Sequence, residues 1–137
     1  MDAIVQWDTG ASCSCISKKV VETLQPTRRG FRTVLTPNGS AIRGVYLLDF
    51  MLPQGVLVTN IMAIETDIGE QGIEALIGMD IISMGDFAVS NFNNELVFTF
   101  RTPSIETTDY VAVVNRENMF ANIQQHGQGN TRKRHKK

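Results

Sequence analysis

Asp8, Thr9 and Gly10 follow the apolar run Ala3-Ile4-Val5-Gln6-Trp7 without a spacer, so a strand carries a carboxylate straight into a tight turn. A carboxylate held there can take a proton from water and direct that water at an electrophilic carbon. Such chemistry needs a second group to protonate the oxygen that gains charge. No second Asp-Thr-Gly or Asp-Ser-Gly occurs in the chain. The other reactive side chains offer less. Cys13 and Cys15 alternate along an expected strand, where neighbouring same-face thiols rarely meet disulfide geometry, and no Cys/His set at zinc spacing accompanies them. Both are expected as packed free thiols. His126 and His135 lie in a polar C-terminal stretch and are expected to be solvated, so no metal or cofactor is implied.

A chain of 137 residues suits one domain with its own core. No apolar run approaches the roughly 18 residues that span a bilayer. Asp2 and Asp8 interrupt the early apolar stretch that a secretory leader would need. A cytoplasmic location and no membrane partner are therefore expected. The net charge of −1 hides an asymmetry, because Thr131 to Lys137 holds five of the 13 Lys and Arg residues, leaving eight against all 14 Asp and Glu. A nucleic acid or acidic partner could meet that basic cluster. Without interleaved aromatic residues, a solvated tail is the commoner outcome.

The elements that must position Asp8 read as all-β. Strand-like runs rich in β-branched and aromatic residues occur at Asp2 to Trp7, Cys13 to Ile16, Phe31 to Leu35, Ala41 to Leu52, Val56 to Ile64, Ala75 to Ile77, Phe87 to Ser90 and Glu95 to Phe100. Short helices are expected at Lys18 to Leu24 and Ile81 to Met84, the second capped by Asp80. Pro37-Asn38-Gly39, Pro53-Gln54-Gly55 and Asn93-Asn94 are hairpin tips, and Ile68 to Gly72 is a loop. Trp7 is expected in the core, and Asp86 in turn chemistry. The reading divides the chain into a domain at 1–102, a polar extension at 103–123 and a disordered basic tail at 124–137, with an amphipathic segment at Arg116 to Gln125.

Ala75-Leu76-Ile77-Gly78-Met79-Asp80-Ile81-Ile82, in which an apolar-apolar-Gly triplet leads into a short helix, supplies the second motif. Together with Asp8-Thr9-Gly10 and the Asn-Gly-tipped hairpin between them, it resembles the retropepsin-like aspartic proteases over about residues 2 to 100. The resemblance implies a single-lobe closed β-barrel with a flap hairpin and one short helix. It further implies a homodimer, since one motif supplies half of a two-carboxylate site. The implied activity is hydrolysis of peptide bonds in a polypeptide substrate, with no cofactor.

Residue by residue, the resemblance makes Asp8 the catalytic group, with Thr9 bonding across the dimer to stiffen the loop. Gly10 offers its backbone to substrate, while Ala11 and Ser12 line the cleft. The Phe31 to Val45 hairpin is the flap, whose Pro37-Asn38-Gly39 tip folds over the peptide, and Ile77 lies on the substrate side. Two departures stand out. Many retroviral members pair an Arg after the Leu-Ile-Gly glycine with an Asp two places beyond the catalytic Gly, and Met79 and Ser12 occupy those positions here. Only seven residues precede Asp8, where the family carries an additional hairpin. The Asn91 to Phe100 hairpin, with Leu96, Phe98 and Phe100 on one face, is expected either to supply the dimer strands instead or to close the monomer's own core. Two alternatives stand beside the protease: an inactive module of the same fold that dimerises or binds peptides, and a mobile-element protein whose basic tail binds nucleic acid.

Overall fold

The computed structural model describes residues 1–36 and 38–131. Pro37 and the basic residues of 132–137, His135 among them, lie outside the described residues. The chain divides into two compact units, Met1–Ile105 and Glu106–Lys137.

The first unit is mostly β. Its strands are β1 (Val5–Trp7), β2 (Cys15–Ile16), β3 (Thr27–Thr36), β4 (Gly39–Leu52), β5 (Val56–Glu65), β6 (Ala75–Ile77), β7 (Asp86–Phe92) and β8 (Glu95–Arg101). Six of them form one curled sheet in the order β1-β6-β2-β5-β4-β3, and β7 and β8 form a separate two-stranded sheet. The six-stranded sheet is open, with β1 and β3 at its edges, so the closed barrel expected from sequence is not formed. The reason lies in the pairing. Among the described residues the β7–β8 ladder is not joined to the six-stranded sheet, and the hairpin meets it through side chains such as Phe87 against Trp7.

Local chemistry explains the punctuation. Helix α1 (Lys18–Leu24) starts where the Ser17 hydroxyl accepts the Val20 N–H and ends where Gln25 turns left-handed at φ 45°. Asn93 and Asn94 take φ values of 53° and 62°, the conformation a two-residue hairpin requires and asparagine tolerates. Strand β3 begins at Thr27, four residues before the sequence pattern suggests, because a bulge between Arg28 and Gly30 lets that polar start pair with β4.

The core forms two clusters. Leu52, Val58, Ile61, Ile77, Ile81 and Ile82 make one, against which Trp7, Phe50, Phe87 and Phe100 pack. Ile16, Val20, Tyr46, Ala63 and Ala75 make the other. Trp7 ties the β7–β8 hairpin to the body, with ring centroids 5.1 Å from Phe98 and 5.0 Å from Phe100.

The second unit contains α3 (Tyr110–Thr131), which begins where Asp109 accepts the Ala112 N–H on its carboxylate at 3.0 Å. The helix is longer than the Arg116 to Gln125 segment and takes in Gln124 to Thr131, assigned to a disordered tail from composition. Among the described residues no helix is long and apolar enough to cross a membrane.

Candidate active site

Both sequence motifs meet at the β1 edge of the six-stranded sheet. Strand β1 runs parallel to β6 with Trp7 beside Ile77, and the ladder continues past the strand end as the Asp8 N–H donates to the Ile77 carbonyl at 2.9 Å. The chain then turns. Asp8 Oδ1 accepts the Gly10 N–H at 2.8 Å, and the Asp8 carbonyl accepts the Ala11 N–H at 3.2 Å. An Asp side chain that bonds two residues ahead is a local turn device, and here it fixes the carboxylate relative to its own loop. Asp8 and Ala11 are half-buried, whereas Thr9, Gly10 and Ser12 are exposed.

The loop is braced from the opposite strand. The Met79 N–H donates to the Ala11 carbonyl at 2.8 Å, and the backbone at Gly78 passes so close that an added Cβ would sit 2.6 Å from the Cys13 carbonyl carbon. Only glycine fits such an approach. Beneath it, Ser14 is fully buried. Its hydroxyl donates to Asp80 Oδ1 at 2.7 Å and accepts the Gly78 N–H at 3.1 Å, while its own N–H donates to Asp80 Oδ2 at 2.9 Å.

Asp80 therefore does not cap α2 (Met79–Ile82) as expected. Gly78 holds the N-cap position, and Asp80 sits in the first turn with its carboxylate turned to Ser14 and to the Ile81 N–H. Ser14 and Asp80 thus fasten the strand that follows the Asp8 loop to the β6–α2 connection. Sequence reasoning missed Ser14; the signal available was a small hydroxyl two residues beyond Ser12, facing a motif Asp two residues beyond Gly78.

The remaining site residues fall in different places. Ile77 is only 2% exposed and packs in the core, so its contribution at the loop is the carbonyl that holds Asp8. Asn38 and Gly39 form an exposed turn at the tip of the β3–β4 hairpin, whose Pro37 lies outside the described residues. Cys13 and Cys15 are unbridged, and burial pushes the Cys15 thiol up. Among the described residues no three His, Cys, Asp or Glu side chains converge as a metal site. A cavity of about 620 Å³ opens beside Val5, Trp7, Val20, Leu48 and Phe50, and Asp8 is not among its lining residues.

The arrangement presents one carboxylate on a stiff loop beside an open edge strand. It can position a water molecule and accept its proton. Comparison of the chain with protein-family models, with curated proteins and with solved structures finds no match in any of the three.

Proposed function

We propose that the protein is a retropepsin-like aspartic endopeptidase that works as a homodimer. The observation that carries this reading is the bracing of Asp8. The half-buried Asp8 carboxylate accepts the Gly10 N–H, and the Asp8 N–H is held by the Ile77 carbonyl, on a loop that Gly78, Ser14 and Asp80 pin to the next strand. Preorganisation of that kind serves chemistry more than folding, since an exposed turn needs no buried scaffold.

A two-fold axis would set the Asp8 carboxylates of two copies side by side. Two such groups within hydrogen-bond reach cannot both ionise cheaply, so they share one proton. The ionised carboxylate takes a proton from the bridging water as its oxygen bonds to the peptide carbonyl carbon. The protonated partner gives its proton to the carbonyl oxygen, yielding a neutral tetrahedral adduct. On collapse the C–N bond breaks as the dyad gives its proton to the leaving nitrogen, and one hydroxyl of the adduct returns a proton to the dyad as the carboxylic acid product forms.

The β7–β8 hairpin supports a subunit contact. Phe87, Phe98 and Phe100 pack on Trp7, but Val89 and Leu96 extend the same face and are 55% and 71% exposed. An isolated two-stranded hairpin with an uncovered apolar face is marginal in water, and a second copy would bury it.

The test is cleavage of an unstructured polypeptide such as reduced, alkylated casein by wild type and Asp8→Asn. Turnover should fall about 10²- to 10⁴-fold in the variant with its thermal melt unchanged. Equal turnover in the two proteins overturns the reading. Peptide binding without cleavage from acidic to neutral pH would indicate the inactive module instead.

A further inference from the structure

Strand β3 is an edge strand whose residues alternate between two faces. Phe31, Thr33 and Leu35 share one face with their cross-strand mates Gly44, Ile42 and Ser40; Arg32 and Val34 share the other with Arg43 and Ala41. The second face looks toward the Asp8 loop, because Arg32 Nη1 donates to Cys13 Sγ at 3.1 Å.

The hairpin's arginines differ in what they hold. Arg43 forms a two-pronged pair with Asp67, and Arg28 lies 4.7 Å over the Phe31 ring. Arg32 is exposed, stands directly opposite Arg43, and takes part in no ion pair among the described residues. Among the described residues its acceptor is the Cys13 thiol sulfur, a weak partner that anchors the guanidinium while leaving the rest of its five-donor fork open. Residues 1–130 carry more acidic than basic groups, so this is a local positive site on a negative body.

We propose that Arg32 is the recognition residue of a subsite that takes a carboxylate side chain of the polypeptide substrate. The proposal rests on the reading of Asp8 as the cutting group, under which the peptide runs between the Gly10–Ser12 segment and the β3–β4 hairpin. A guanidinium fork matches a carboxylate with two parallel N–H···O bonds, and closure of the hairpin over the peptide would exclude the water that weakens exposed pairs. Cys13 is five residues beyond Asp8. At about 3.4 Å per extended residue, the subsite falls within about five substrate residues of the scissile bond.

The experiment uses the full chain and synthetic peptides with one cleavable bond, carrying Asp, Asn or Lys at each flanking position in turn. Wild type should cleave the Asp peptide with kcat/KM about five- to tenfold above its Asn counterpart at one position. Arg32→Ala should bring that ratio to about one, Arg32→Lys should keep part of it, and Arg32→Glu should favour the Lys peptide. Cleavage with no acidic preference in wild type, or with the preference intact in Arg32→Glu, overturns the subsite while leaving the protease standing. Fluorescence anisotropy with the same peptides reads the subsite without turnover. If nothing is cleaved, tighter Asp-peptide binding that reverses in Arg32→Glu supports the subsite while the protease reading falls, and equal binding overturns both.

Discussion

Buried Ser14 donates both its hydroxyl and its backbone N–H to the carboxylate of Asp80, 66 residues away in sequence, at the point where the Asp8 loop meets the β6–α2 connection. The same hydroxyl accepts the Gly78 N–H, so one side chain links the strand after the loop, the close-approach glycine and the short helix. A network this compact should fail as a unit.

Ser14→Ala removes the hydroxyl and leaves the Gly78 N–H and one Asp80 oxygen without that partner in a buried place. Loss of a charge-assisted bond with its acceptor left behind costs about 2–3 kcal/mol. Urea unfolding should show a lower midpoint at unchanged slope. Asp80→Ala in the Ser14→Ala background should cost clearly less than in wild type, because the two groups serve each other.

Gly78→Ala tests the close approach. The new Cβ would lie 2.7 Å from the Cys13 carbonyl oxygen and 2.9 Å from that of Ala11, both backbone atoms that no rotamer change can move aside. Overpacking of this kind costs about 1–3 kcal/mol. The thermal midpoint should drop by roughly 4–8 °C for each kcal/mol. Casein turnover should fall further than the folded fraction does, because the strain falls on the loop that holds Asp8.

Much of the local structure was legible in the sequence because its causes are local. Asn93-Asn94 sets its hairpin through its own φ preferences, and alternation of apolar residues in Phe31 to Leu35 and Glu95 to Phe100 marked strands wherever one face packs or pairs. Causes that act across the fold were not legible. Asp80 looks like a helix cap until its partner Ser14 is placed beside it by β2–β6 pairing. Thr27 to Gly30 has no strand pattern and is drawn into β3 by the ladder to β4. Sheet closure depends on which strand the last hairpin bonds to, and that information is distributed over the whole chain.

Asp86 gives the fold an acid limb. The Ile105 N–H, the Ser104 hydroxyl and the Arg101 guanidinium all donate to its carboxylate, and together they hold it well below the usual carboxylate range. A depressed folded pKa means that the stabilisation is fully present above the unfolded value of about 3.9 and fades as pH falls through the folded one. Glu74, lowered by Lys19 and by the Ile4 N–H, acts in the same direction. Asp86→Asn should therefore be less stable than wild type at pH 7, and the gap should narrow steadily below about pH 4. Urea midpoints measured from pH 7 to pH 2 read this directly. A gap that stays constant with pH would show that the carboxylate's charge contributes nothing there.

The β7–β8 hairpin separates monomer packing from subunit contact, because its apolar face is half committed. Trp7→Ala deletes the ring against which Phe87, Phe98 and Phe100 stack, and should destabilise the monomer by about 3–5 kcal/mol at any protein concentration. Leu96→Asp changes a side chain that is 71% exposed in the single chain, so monomer unfolding should move by no more than about 0.5 kcal/mol. If a second copy covers that face, the same substitution places a charge in the contact. Sedimentation equilibrium should then show wild type associating at concentrations where Leu96→Asp is a monomer, with casein turnover lost in parallel. Wild type that remains monomeric at millimolar concentration would remove the hairpin as a subunit contact, and with it the means of bringing two Asp8 carboxylates together.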